Sequence, residues 1–334
     1  MRIFDKDPLQ IIAFNSYGSD THFYIRGRAL EDESTDLEDK SWFRLIVNTW
    51  KRLESDEIRN TSLSIKLPNG ATVKTKTNYK GYFKVRANFK DLRSYADEDG
   101  WLTCEIGYGD LNKKRKIQND NKFPAKILIP SKKAQFAVVS DIDDTILYTG
   151  VASTLKWRLL FNTFFKAAKS RLPLEGAAAF YHLLHHGKTG VEGNPIFYVS
   201  HSPWNLYRYL ELFLKQNNFP KGPILLRSFG DILKRKSNSN IPRKQKEILD
   251  LLKVYPNLSF ILIGDSGEHD PDIYIEIAEQ FPNRIKAIYL RSVNHKKKIL
   301  RVKNLLNNYK TTPALLVENS EQAIAHAKKN GFIL

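Results

Sequence analysis

From residue 135 onward, short apolar runs recur at intervals that leave room for one helix between each pair. The runs cover residues 136–140, 196–200, 224–227, 259–264 and 285–290, and a sixth is Ala314-Leu315-Leu316-Val317. Strands alternating with helical stretches imply crossover connections, and therefore a mainly parallel sheet covered by helices. In such a sheet, ligands bind beyond the carboxyl ends of the strands. The first run, Phe136-Ala137-Val138-Val139-Ser140, leads straight into Asp141-Ile142-Asp143-Asp144-Thr145. Two carboxylates two positions apart therefore emerge at a strand exit. One of such a pair can act as nucleophile and the next as proton donor, while both help to hold a divalent cation.

Two further runs end in polar groups of the same kind. Ile196-Phe197-Tyr198-Val199 ends at Ser200, and Phe260-Ile261-Leu262-Ile263 ends at Gly264-Asp265, with Asp270 following. Between them lies the basic helix start Arg243-Lys244-Gln245-Lys246. An aspartate nucleophile, a hydroxyl, a lysine and a later acidic pair, in that order, resemble the four motifs of the haloacid dehalogenase superfamily. The resemblance implies an α/β fold: a haloacid dehalogenase-like parallel sheet with flanking helices and a cap insertion.

At 334 residues the chain is comfortable as two domains. Its apolar share, 42%, is ordinary for a globular protein and too high for disorder. The single cysteine, Cys104, permits no internal disulfide and reads as a small apolar strand residue. No apolar stretch reaches the length of a membrane span, and the first residues lack a hydrophobic signal core. The expectation is a cytoplasmic protein, with peripheral membrane contact left open. The formal charge of +17 concerns partners: anionic membrane surfaces, nucleic acid or small phosphorylated substrates all fit it.

Residues 1–131 read as a separate β-rich domain, expected to be a small β-sandwich, followed by the haloacid dehalogenase-like domain 132–334. Strand composition appears at residues 23–28, 62–67, 71–74, 82–87 and 101–106, with Pro68-Asn69-Gly70 as a hairpin signal. Residues 42–53 show helical spacing instead. Residues 151–190 read as an insertion. Within it, Leu155, Leu159, Leu160, Phe164, Phe165 and Ala168 form an apolar stripe flanked by Lys and Arg. Such a stripe either lies in a membrane interface or packs as an ordinary cap or core helix. The last helix has a start signal at Asn319-Ser320-Glu321 and a stop at Gly331.

Longer strings narrow the resemblance. Ser140 to Ile146, Phe197 to Tyr207 (with Ser200-His201-Ser202-Pro203-Trp204) and Ile263 to Tyr274 resemble the phosphatidate phosphatase family typified by the fungal actin-patch protein. Gly222 to Arg227 and Ala287 to Arg291 look like its intervening and following segments. The resemblance implies a magnesium-dependent enzyme that converts phosphatidate to diacylglycerol. It implies Asp141 as nucleophile and Asp143 as proton donor and then base. Thr145, Ser200 and Lys244 would bind the phosphoryl group. Mg2+ would sit among Asp141, the Asp143 backbone carbonyl and Asp265, with Asp270 orienting a metal-bound water or Lys244. His201, Arg227 and His269 are candidate substrate contacts. His201 stands where the family more often has a second serine. A long proline-rich tail like the one that ties the fungal protein to actin is not expected here, so that partnership is not carried over.

Several residues have plainer readings. Asp144 fits a turn, Lys246 competes with Lys244, and Trp204 fits a core or pocket wall. His182, His185 and His186 lack the Cys or acidic partner that would complete a zinc site. Two other functions stay open: the same chemistry on a soluble phosphomonoester, and a non-enzymatic module binding anionic surfaces. Specific nucleic-acid recognition is not expected.

Overall fold

The computed structural model describes residues 7–31, 57–109, 115–142, 145–146, 176–227, 241–293 and 295–334. The expected helix over 42–53 and the apolar stripe over 155–171 lie outside them. The chain divides into two compact units, Met1–Pro130 and Ser131–Leu334.

Among its described residues the first unit is built of β-strands, with two short 3-10 turns at Leu92–Tyr95 and Gln118–Asn121. Its strands are β1 (Leu9–Gly18), β2 (His22–Glu31), β3 (Ser62–Lys66), β4 (Thr72–Lys76), β5 (Tyr82–Asn88), β6 (Trp101–Tyr108) and β7 (Phe123–Leu128). They form one sheet in the order β4-β3-β6-β7-β1-β2-β5. A sandwich needs two hydrogen-bonded sheets, so the expectation of a β-sandwich is corrected: this is one curled, nearly closed barrel-like sheet. The edge strands β4 and β5 are joined by a short turn and come into contact, which brings the sheet's ends together. An apolar core of described residues lies within it, including Phe23, Ile25, Ile65, Leu102, Ile106 and Ile127. Cys104 belongs to that core, and burial pushes its thiol up to about 12, as expected of an inert strand residue.

The predicted hairpin at Pro68-Asn69-Gly70 joins β3 to β4 in register Ser62 to Lys76. Gly70 adopts a positive φ there, and the Asn69 side chain accepts a hydrogen bond from the Ala71 amide at 3.0 Å. β1 was not legible beforehand because it is buried on both sides, leaving no alternation to read. β1 and β7 pair in parallel, the one such pair among the described strands of this sheet.

The second unit is a six-stranded sheet in the order β10-β9-β8-β11-β12-β13, parallel throughout. Its strands are β8 (Phe136–Asp141), β9 (Ile196–Pro203), β10 (Ile224–Arg227), β11 (Ser259–Asp265), β12 (Ile285–Arg291) and β13 (Ala314–Val317). They match the six runs read from the sequence. The described helices are α1 (Ala177–His186), α2 (Tyr207–Gln216), α3 (Arg243–Val254), α4 (Asp270–Gln280), α5 (Lys296–Asn308) and α6 (Ser320–Lys329). The Asn319 side chain caps α6 by accepting from the Gln322 amide at 3.0 Å, as its start signal predicts.

The described part of segment 151–190 contains α1, which is a sheet-covering helix. Phe180, Tyr181 and Leu184 are buried, Phe180 meets Tyr289 edge-on, and the Tyr181 hydroxyl hydrogen-bonds Ser140 Oγ on the central strand. From β8 the chain builds outward through β9 and β10, then returns to build β11, β12 and β13 on the other side. The order therefore reverses between β8 and β11, the position at which open α/β sheets leave a crevice. None of the described helices is long and apolar enough to cross a membrane.

Candidate active site

Asp141 and Asp265 end the two strands that flank this reversal point. β8 and β11 run in parallel register, with Ser140 opposite Ile263, so both strands deliver an aspartate to the same edge. Asp270 comes from the first turn of α4 and Lys244 from the first turn of α3. All four side chains are buried. Lys244 Nζ lies 3.0 Å from Asp141 Oδ1 and hydrogen-bonds Asp270 Oδ1. Asp141, Asp265 and Asp270 each place a carboxylate oxygen within 4.8 Å of the other two. Lys246, on the same helix, is exposed.

Gly264 makes this clustering possible. A Cβ at that position would fall 2.3 Å from Asp270 Oδ2 and 2.8 Å from the Tyr274 ring. The absence of a side chain lets the Asp270 carboxylate approach the strand. The Tyr274 hydroxyl then donates to the Ile263 carbonyl at 3.1 Å and holds that ring in place.

Three buried carboxylates facing one buried ammonium leave an excess of negative charge that only a cation or a proton can relieve. Asp265 carries the clearest mark of this. Its Oδ1 accepts from the Gly267 and Glu268 amides, but its Oδ2 is buried with no hydrogen-bond partner among the described residues. Burial first, and then the neighbouring Asp270, push its carboxyl up to about 7. Burial alone would lower Lys244, yet Asp141 and Asp270 outweigh it and hold the lysine above its ordinary value. A hard, oxygen-ligated divalent cation suits this donor set, so the buried acidic triad fits a metal ion.

The raised Asp265 value has a measurable consequence. Its folded-state pKa lies above the ordinary 3.8, so the folded state binds the extra proton between about pH 4 and 7. The associated stability is full below that window and is lost as pH rises through it. The metal-free protein should melt at falling temperature from pH 5 to 7.5. Added Mg2+ should raise the melting temperature more at pH 7.5 than at pH 5. Equal stabilisation at both values would contradict the proposed link between Asp265 and the cation.

The remaining sequence-selected residues are distributed around this cluster. Asp143 and Asp144 lie outside the described residues. Thr145 follows in the turn after β8, and its buried Oγ1 has no hydrogen-bond partner among the described residues. It borders a cavity of about 40 Å³ with Tyr181, Tyr289 and Arg291, enough room for an ordered water. Ser200 follows Val199, which pairs with Asp141 across the sheet, and its Oγ accepts from the Ser202 amide at 2.9 Å. His201 is half-buried, with Nε2 3.9 Å from Glu268 Oε2. His269 is exposed just before α4. Arg227 ends β10, and its side chain is outside the described residues. Trp204 is buried in the turn after β9. His182 and His185 use a ring nitrogen to bond backbone carbonyls of Asn218 and Asn194, which fits structure and not zinc.

Sequence reading missed the groups that hold the Asp265 loop. Ser266 Oγ accepts from the Val293 amide at 3.0 Å, and Lys298 Nζ donates to the Gly267 carbonyl at 2.6 Å. Glu268, also missed, adds negative charge near Lys244. Its place between Asp265 and Asp270 was the available signal.

A parallel sheet with an acidic cluster at its reversal point defines an α/β protein with a metal-fitting site. Residues 136–292 match the family described as "Phosphatidate phosphatase APP1, catalytic domain". Phosphatidate phosphatase APP1 of Saccharomyces cerevisiae is 38% identical over 170 residues, covering 51% of this chain and 27% of the yeast protein. An uncharacterized protein of Schizosaccharomyces pombe is 32% identical over 158 residues, 47% of this chain and 25% of its own. The chain thus spans about a quarter of the length of these curated relatives. A solved ferredoxin-NADP+ reductase from Plasmodium falciparum aligns over 85% of this chain and 95% of its own at 10% identity. Its TM-score of 0.20 carries no argument about fold or function.

Proposed function

We propose that the chain is a Mg2+-dependent phosphatase that hydrolyses phosphatidate to diacylglycerol and phosphate through an aspartyl-phosphate, on a haloacid dehalogenase-like sheet. The observation that carries this reading is the buried Asp141–Lys244–Asp270 linkage beside Asp265, inside the segment matched by the phosphatidate phosphatase family. The metal would be held by Asp141, the Asp143 backbone carbonyl and Asp265; bound there, it supplies positive charge that stabilises the oxygens of the transferring phosphoryl group.

The protein's own groups divide the remaining work. Asp141 attacks phosphorus, and the neighbouring ammonium of Lys244 keeps that carboxylate ionised and ready. Asp143 protonates the departing alkoxide and then takes a proton from the water that hydrolyses the acyl phosphate. Thr145 offers its Oγ1 to a phosphoryl oxygen, consistent with the lack of a partner for that atom among the described residues. Ser200, at the end of the adjacent strand, offers a second hydroxyl. Lys244 also neutralises charge on the transferring group, where preorganised electrostatics contribute most. Asp270 fixes the lysine from its other side. His201, His269 and Arg227 are assigned to the substrate's periphery.

The test is phosphate release from phosphatidate in detergent micelles, measured beside nucleotides, sugar phosphates and phosphorylated polynucleotide ends. The reading expects kcat/KM highest for phosphatidate. Turnover confined to the soluble monoesters would replace the lipid substrate while keeping the chemistry. No turnover of any phosphomonoester would remove the enzymatic reading.

A further inference from the structure

From Thr61 to Lys90 the chain carries seven Lys and Arg and no Asp or Glu. At the chain's overall composition, a stretch this long would hold about three acids. The structure gathers much of this charge on one face. Lys74 and Lys76 alternate outward on β4, and Lys84 and Arg86 alternate outward on β5, while Phe83 and Val85 turn into the core. Because the two strands are in contact, their basic rows form one exposed patch. Lys66 extends it onto β3 until Glu105, its cross-strand partner on β6, marks the border. Lys66, Lys74, Lys76 and Lys84 make no ion pair among the described residues. At the tip of the β4–β5 turn, Tyr79 is 64% exposed, with Lys80 Nζ 5.6 Å from its ring centre.

We infer that this β4–β5 face docks the protein on anionic lipid bilayers. The inference deepens the proposed action on phosphatidate, on which it rests for its choice of partner. An uncompensated row of cations facing solvent suits the negative surface of such a bilayer, where each Lys or Arg strengthens binding about fivefold. A protruding tyrosine suits the headgroup layer, where amphipathic rings settle. A single-strand nucleic-acid surface stacks successive bases on several aromatic rings. Tyr79 is the lone well-exposed aromatic among the described residues of this face.

The test uses the full chain and vesicles of phosphatidylcholine with or without phosphatidylserine, which is not a phosphomonoester and so does not report on the active site. The wild type should bind the serine-containing vesicles, weaken steeply with salt, and ignore neutral ones. A variant with Lys66→Gln, Lys74→Gln, Lys76→Gln and Lys84→Gln should lose roughly six-hundredfold in affinity. It should release phosphate from a soluble monoester as the wild type does. An equal charge change elsewhere, at exposed Lys215, Lys253, Lys328 and Lys329, should leave vesicle binding within about fivefold. Absence of wild-type binding, or equal losses in the two variants, would overturn the inference. So would a loss confined to binding of a single-stranded oligonucleotide. Vesicle binding through this face by a protein inactive on phosphatidate would retain the docking surface and remove only the proposed reaction.

Discussion

Asp141→Asn should lose at least roughly three orders of magnitude in phosphate release while remaining folded. An amide is a poor nucleophile toward phosphorus, so no covalent intermediate forms, and such a loss falls on kcat and kcat/KM together. The fold should survive because the substitution is nearly isosteric and lowers the excess of negative charge shared with Asp265 and Asp270. The measurement is kcat by phosphate release, paired with a thermal melt of the same preparation. A folded variant with near-wild-type kcat would remove Asp141 from its role.

Lys244→Met should damage both activity and stability. The lysine is the one buried cation in contact with the acidic cluster among the described residues, and it joins carboxylates from β8 and α4. Removing one member of a buried ion-paired network leaves the others uncompensated and costs about 3–5 kcal/mol. The metal-free variant should therefore melt about 10 °C lower, given the size of the second unit. Mg2+ should recover part of that stability by neutralising the same carboxylates. Activity should fall by at least about a hundredfold even with metal present, because preorganised positive charge at the transferring group is gone. Lys246→Met removes an exposed side chain and serves as the comparison; its melt should not move. Equal melting of the two variants would contradict the structural part of this account.

The parallel sheet was legible because its strands are nearly continuous apolar runs, and β8 and β11 end in acids that cannot belong to a core. The meeting of Asp141, Asp265 and Asp270 follows from two adjacent parallel strands and the helix after the second, all of which the sequence announces. The β unit was less legible. Its hairpin at Asn69-Gly70 is a local signal, but β1 is buried on both sides and closure depends on β4 meeting β5 and β1 pairing with β7. Such non-local pairings leave no periodic trace, so a sandwich was expected where one curled sheet occurs. The α1 helix was hidden within the segment read as an insertion, since an Ala-rich helix end carries the same pattern in a cap or against a sheet. Gly264 and Tyr274 were hidden for a different reason. Gly264 leaves space for a carboxylate six residues further along the chain, and the Tyr274 ring borders that same space, which spacing alone does not express.

On the proposed reading the buried acids work as a cation site for phosphoryl transfer from lipid. The most direct measurement is phosphate release from phosphatidate by protein stripped with a chelator, then titrated with Mg2+. Release should be negligible without the ion, recover saturably with it, and not recover in Asp265→Asn at the same concentrations. Full activity in the stripped wild-type protein, or undiminished Mg2+ response in the folded Asp265→Asn variant, would contradict that reading.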